Sequence, residues 1–140
     1  MYDIAIIGTG PAGLSASIYA GRYRLKNIVF GKMIGGTISE AHKVCNYPGI
    51  PGVTGLELGQ KMFNHAKEEG GEIAFESIVD LKKEGKEFKI VTDSGKEYRA
   101  KTVILATGTK RNKLSIPNED KYLGRGVSYC ATCDAMFYKD

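Results

Sequence analysis

The chain has 140 residues, with Lys+Arg 20 against Asp+Glu 16, 42% hydrophobic residues, 18 glycines, 3 cysteines and no tryptophan. That length fits one domain of ordinary globular composition, and a net charge of +4 without blocks of like charge calls for neither a nucleic-acid partner nor a charged tail. No apolar run approaches the roughly 20 residues of a membrane span, and the N-terminus enters a strand pattern directly without signal-peptide regions, so no membrane association and a cytoplasmic location are expected. Three cysteines make no disulfide framework, and a Cys-x-x-Cys pair in such a chain points to redox or metal chemistry.

Asp3-Ile4-Ala5-Ile6-Ile7 is an apolar run ending at Gly8, the pattern of a buried strand. Pro11 stands where a first helical residue belongs, Leu14, Ile18 and Tyr23 follow at helical spacing, and the helix should fade near Arg24. Asn27-Ile28-Val29-Phe30-Gly31 is a second strand, which completes a βαβ unit with a right-handed crossover. Residues 31–55 are glycine-rich and irregular, and a loop of that length in a compact domain is usually functional. Thr54 and Glu57 form a capping box, Leu56, Met62, Phe63 and Ala66 give the following helix an apolar face, and Gly70-Gly71 stop it. Residues 72–81, 87–91 and 98–106 read as strands, with Asp93-Ser94-Gly95 as the turn between the last two. The alternation of Phe88-Lys89-Ile90 predicts a half-exposed antiparallel strand, whereas Val103-Ile104-Leu105-Ala106 predicts a buried one. Residues 107–126 turn polar, with Pro117 and Gly124, and have the composition of a linker. The expected class is α/β, a βαβ parallel sheet with a small antiparallel meander.

Gly8-Thr9-Gly10-Pro11-Ala12-Gly13 follows a predicted strand and opens a predicted helix, the setting in which a G-x-G-x-x-G pattern binds dinucleotides. Gly8 permits the tight turn, Gly10 lets the backbone approach a pyrophosphate, and Gly13 lets helix and strand pack closely. The phosphates would meet the helix N–H groups and the positive end of its dipole. A ribose-binding acid is expected at the end of the second strand, but Phe30-Gly31 stands there, which counts against a plain NAD-dependent dehydrogenase. Gly35-Gly36-Thr37 could lie against a ring or phosphate, or be a flexible turn. Asn46-Tyr47-Pro48-Gly49 is a turn on its residues alone. Ala106-Thr107-Gly108 ends a strand on the side where α/β sheets collect ligands, or is simply a turn.

Cys130-Ala131-Thr132-Cys133 can close a small reversible disulfide, and Asp134 beside it could exchange a proton with a thiol. The competing reading is a zinc site that joins His42 and Cys45 to Cys130 and Cys133 in a non-catalytic nucleotide-binding module. Cys45 by itself reads as a small buried side chain, and His65 as a solvated one.

Taken together, Gly8–Gly13, Gly35-Gly36-Thr37-Ile38, Asn46-Tyr47-Pro48-Gly49, Ala106-Thr107-Gly108 and the run from Gly124 to Asp134 closely resemble the low-molecular-weight thioredoxin reductase family, in order and over essentially the whole chain. The resemblance implies a Rossmann-like FAD-binding domain in residues 1–112, and in 113–140 a linker and the start of a pyridine-nucleotide domain. It assigns the FAD pyrophosphate to Gly8–Gly13 and a stretch along the cofactor to Phe30, Gly31, Gly35, Gly36 and Thr37. It places Asn46, Ala106, Thr107 and Gly108 near the flavin and Ile78 near the adenine. Cys130 and Cys133 become the redox disulfide and Asp134 its acid/base partner. Electrons would pass from a donor, NADPH by default, through FAD to the disulfide and on to thioredoxin. Strands left unpaired and core left uncovered in so short a chain favour self-association, and a homodimer is expected. Relatives of the family use other donors or other dithiols. Two departures stand out: Ala135 replaces the glycine that usually follows C-A-T-C-D, and family members are considerably longer. On that reading the chain is an N-terminal fragment, without a donor site and inactive alone.

Overall fold

The computed structural model describes residues 1–110 and 112–138. They fall into two compact units, Met1–Gly108 and Thr109–Asp140.

The first unit is a six-stranded sheet with helices. In chain order it runs β1 (Tyr2–Ile7), α1 (Pro11–Arg22), β2 (Asn27–Phe30), α2 (Gly55–Glu68), β3 (Glu72–Ala74), β4 (Ile78–Glu84), β5 (Glu87–Thr92) and β6 (Glu97–Leu105). The spatial order is β3-β2-β1-β6-β5-β4. The strands β3, β2, β1 and β6 are parallel, whereas β4, β5 and the first half of β6 form an antiparallel meander. β6 belongs to both parts, because Ala100 is in register with Phe88 of β5 on one side and Tyr2 of β1 on the other. The class is the expected α/β one, a Rossmann-like βαβ sheet with a meander.

Every residue of β2 is buried, as befits a parallel strand covered on both faces. On the helix side, Leu14 packs with Leu58, Met62, Phe63, Ala66 and Val44. On the other side Ala5, Ile28 and Phe30 pack with Ile90 and Ala100 of the meander, and the Tyr98 ring meets Phe30 edge-on at 5.0 Å between centroids. The capping box at Thr54 and Glu57 is formed: each residue's side chain takes the other's backbone N–H.

Several sequence expectations are corrected. Residues 72–81 are two strands, with β3 at one edge of the sheet beside β2 and β4 at the opposite edge beside β5. The bend between them is held by Asp93, whose N–H donates to the Ser77 carbonyl and whose carboxylate accepts the Ser77 N–H. The loop over 31–55 is not wholly irregular, since Gly36–Glu40 forms a 3-10 turn and Val44 bridges Val53. α1 fades near Arg24 as expected: it ends at Arg22, Arg24 takes a left-handed φ of 58°, and the Arg24 and Leu25 amides turn back to the Gly21 and Ala20 carbonyls. Tyr23 is therefore exposed rather than on the buried face. Leu56 is also exposed: it stands in the first turn of α2 at the margin of the buried stripe, which is centred on Leu58, Met62 and Ala66. Leu105 is 67% exposed, against the buried run expected: α1 packs on β1 and β2, α2 packs on α1, and the outer end of β6 is left uncovered.

In the second unit α3 (Glu119–Tyr122) and α4 (Ala131–Asp134) are single turns, and Leu123 bridges Val127. The stretch with linker composition is tied down here. The buried Glu119 carboxylate accepts the N–H groups of Leu114 and Ser115 at 3.0 and 2.6 Å, and the Tyr129 hydroxyl also accepts the Leu114 N–H. Among the described residues no helix is long and apolar enough to cross a membrane.

Candidate functional site

Three loops of the first unit leave the carboxyl ends of the parallel strands β1, β2 and β6 and are bonded to one another. Gly8 N–H donates to the Phe30 carbonyl at 2.8 Å, and Ala106 N–H to the Ile7 carbonyl at 2.8 Å. Gly35 N–H donates to the Thr9 carbonyl at 2.9 Å, and the buried Thr9 hydroxyl to the Met33 carbonyl at 2.7 Å. Gly8, Gly10, Gly13, Phe30, Gly31, Gly35, Gly36 and Ala106 are thereby brought together at the end of an α/β sheet where ligands collect.

The glycines there do different work. At Gly8, with φ of 127°, a Cβ would stand 2.0 Å from the Ala106 carbonyl oxygen. At Gly13 it would stand 1.9 Å from the Gly8 carbonyl oxygen, so this glycine lets α1 lie against the turn. Gly10 differs: its φ of −77° suits any residue, and the nearest heavy atom to a Cβ is the Gly35 carbonyl oxygen, 3.9 Å away. The space beside Gly10 is open, and the facing Gly36 approaches with backbone alone. Neither the turn's tightness nor its packing calls for glycine at position 10, whereas a ligand lying on the backbone does.

The end of α1 suits an anion. Its N-cap is Gly10, which offers no side-chain cap, Pro11 has no N–H, and the first intrahelical bond is Leu14 N–H to the Gly10 carbonyl at 3.0 Å. The amides of Ala12 and Gly13 precede that bond and carry the helix's positive end. The residues present fit a dinucleotide pyrophosphate.

Of the other expected site residues in this unit, Thr37 is exposed on the 3-10 turn, Asn46 is exposed next to Val44, and Thr107 and Gly108 are exposed after β6. Ile78 opens β4 and packs into the core cluster shared with the meander. No acid stands at the end of β2. The first charged side chain there is Lys32, paired with Asp93 of the β5–β6 turn, and the ammonium together with the Ser77 N–H holds the Asp93 carboxyl below its ordinary range. This ion pair was not read from the sequence, because its members are far apart in the chain. Cys45 is exposed, contrary to expectation, since the Val44–Val53 bridge turns Val44 inward and its neighbour outward. His42 is also exposed, and His65 lies 3.8 Å from Glu69 on the surface of α2.

In the second unit Cys130 is disulfide-bonded. Asp134 N–H donates to the Cys130 carbonyl at 3.0 Å. The Ser128 hydroxyl accepts the Cys130 N–H at 3.0 Å and donates to Asp134 Oδ2 at 2.5 Å. The side chain of Cys133, the other expected redox residue, lies outside the described residues.

The profile of one family, pyridine nucleotide-disulphide oxidoreductase, matches residues 2–140. The chain is 44% identical to a thioredoxin reductase of Bacillus subtilis over 140 residues, which cover 99% of this chain and 44% of the relative. The thioredoxin reductase structure from Streptococcus pyogenes superposes with a TM-score of 0.85 at 38% identity, over 100% of this chain and 46% of that one. A ferredoxin-flavin thioredoxin reductase from Clostridium acetobutylicum superposes with a TM-score of 0.73 at 43% identity, over 99% of this chain and 48% of that one. The chain thus spans less than half the length of these relatives. With its glycine turn set between β1 and α1, the chain belongs to the pyridine nucleotide-disulphide oxidoreductase family, where its likeness is to thioredoxin reductases.

Proposed function

We propose that this chain supplies the FAD cradle and the redox disulfide of a thioredoxin-disulfide reductase, with thioredoxin or a thioredoxin-like protein as its partner. The observation that carries the reading is the disulfide at Cys130, beside Asp134, in a chain of a disulphide oxidoreductase family. Bound FAD supplies the two-electron carrier between donor and disulfide. Gly8, Gly10, Pro11, Ala12 and Gly13 hold its pyrophosphate by backbone and helix dipole, a role the open space beside Gly10 supports. Phe30, Gly31, Gly35, Gly36 and Thr37 run along the cofactor, Asn46, Ala106, Thr107 and Gly108 stand by the flavin, and Ile78 by the adenine.

Cys133 is the partner of Cys130 in this proposal. Two electrons open the S–S bond, Asp134 delivers a proton to one sulfur, and the remaining thiolate attacks the partner protein's disulfide. NADPH is the proposed donor, and the likeness to a ferredoxin-flavin thioredoxin reductase makes ferredoxin the alternative. The 140 residues turn over little by themselves; the chain works as a homodimer in the cytoplasm. A zinc module built on His42, Cys45, Cys130 and Cys133 is disfavoured, because a sulfur in a disulfide is no thiolate ligand.

The deciding measurement is the visible spectrum of the chain after FAD is added and the excess removed. Flavin bands that stay with the protein are expected. A colourless protein carrying about one zinc per chain overturns the reading. NADPH-dependent reduction of a disulfide dye by the 140 residues refutes their inactivity, and a monomeric mass by light scattering refutes the dimer.

A further inference from the structure

We infer that Ser128 is a positioning residue for Asp134 that ties the acid/base carboxyl to the backbone of Cys130; this rests on the proposed proton-transfer role of Asp134. A serine hydroxyl has one proton to give and lone pairs to accept with. At Ser128 the accepting side is taken by the Cys130 N–H at 3.0 Å, so the single proton points to Asp134 Oδ2 at 2.5 Å. The Asp134 N–H donates in turn to the Cys130 carbonyl at 3.0 Å. Backbone and side chain of Asp134 are thus both referred to the cysteine, one directly and one through Ser128.

The geometry needs such a tie. α4 is four residues long, and its N-cap, Cys130, offers no side-chain cap. An aspartate on one helical turn has a mobile side chain unless something holds it. A hydroxyl donating to a carboxylate is among the stronger neutral partners it can have. With Oδ2 held, proton exchange is left to Oδ1, whose direction is then fixed relative to Cys130.

The step Ser128 supports can be isolated with dithiothreitol as reductant. Its thiolate attacks one sulfur of the bridge, and the S–S bond breaks. The departing sulfur takes the proton of the Asp134 carboxyl, and the second thiol of dithiothreitol gives its proton to solvent as it closes the ring and releases the other cysteine. Dithiothreitol is oxidised by two electrons and the bridge is reduced by two.

The experiment follows the opening of the disulfide in the 140-residue chain under excess dithiothreitol, for the parent, Ser128→Ala, Ser128→Thr, Asp134→Asn and the Ser128→Ala/Asp134→Asn double variant, with circular dichroism to check folding. Ser128→Ala is expected to slow opening about five- to tenfold, the loss typical of one ordinary hydrogen bond. Ser128→Thr keeps the hydroxyl and stays within about twofold of the parent. The double variant is no slower than Asp134→Asn, because Ser128 acts through that carboxyl. Ser128→Ala at the parent rate, Ser128→Thr as slow as Ser128→Ala, or additive losses in the double variant each overturn the inference while an effect of Asp134→Asn leaves the proton-transfer reading standing. Asp134→Asn at the parent rate removes that reading, and the inference with it.

Discussion

A methyl group at Gly8 would lie 2.0 Å from the carbonyl oxygen of Ala106, whereas one at Gly10 would find nothing nearer than the Gly35 carbonyl oxygen, 3.9 Å away. The contrast separates a glycine required by the fold from one a ligand requires. Gly8→Ala forces a side chain into both a clash and a φ of 127°, and a loss of about 2–4 kcal/mol in urea unfolding is expected. Gly10→Ala should stay within about 1 kcal/mol of the parent in the same measurement. Its effect belongs to the ligand: FAD retention should fall at least about tenfold, since the added methyl occupies the pyrophosphate's space. A Gly10→Ala chain that keeps flavin as tightly as the parent would remove the cradle from the proposed site.

What could be read from the sequence was local. The strand, glycine turn and helix at the N-terminus are encoded within a few residues of one another, and so are the Thr54–Glu57 capping box and the turn at Asp93-Ser94-Gly95. The misread features are those that depend on distant partners. No glycine or proline marks the break between Ala74 and Ile78, because the break serves to carry the chain from one sheet edge to the other. Leu105 reads as buried because an apolar run does not say how far the covering helices reach. The site glycines were legible by their pattern, and Gly13 packs on the nearby Gly8 carbonyl, but that Gly8 is a packing glycine and Gly10 is not depends on Ala106 and Gly35, far along the chain.

Arg24 holds a left-handed φ of 58° at the end of α1, a conformation that glycine adopts at lower cost. Its amide bonds the Gly21 carbonyl at 2.7 Å, and Leu25 N–H reaches the Ala20 carbonyl at 2.9 Å, so the turn is fixed whatever the side chain. The side chain is exposed. Arg24→Gly is therefore expected to stabilise the chain by about 0.5–1 kcal/mol in chemical denaturation. A loss of stability would mean that the guanidinium carries a contact worth more than the backbone relief.

Tyr2 of β1 and Glu72 of β3 are tied together across β2: the phenol donates to the carboxylate at 2.6 Å. Burial first, then the hydrogen bond and charge of Glu72, raises the Tyr2 hydroxyl from 10.0 to about 12. Below pH 10 the phenol is protonated in both folded and unfolded chains, and its contribution to stability is whole. Between 10 and about 12 the unfolded chain loses the proton first, so that contribution is lost as pH rises. Tyr2→Phe should lower stability at neutral pH and flatten its fall through that window, measured by urea unfolding across the alkaline range. An unchanged alkaline slope would mean the phenol titrates alike in both states.

The three cysteines should separate into two classes by reactivity alone. Cys45 is exposed and free, whereas Cys130 is in a disulfide. With Cys130 paired to Cys133 as proposed, Ellman's reagent should find one thiol per chain before reduction and three after it, and Cys45→Ser should remove the first and leave the two released by dithiothreitol. The zinc arrangement gives the opposite pattern. Its thiolates would be masked until a chelator is added, would need no reductant, and Cys45 would be masked with them. Three thiols reacting at once without either treatment would dispose of both, because neither a disulfide nor a metal would then hold Cys130.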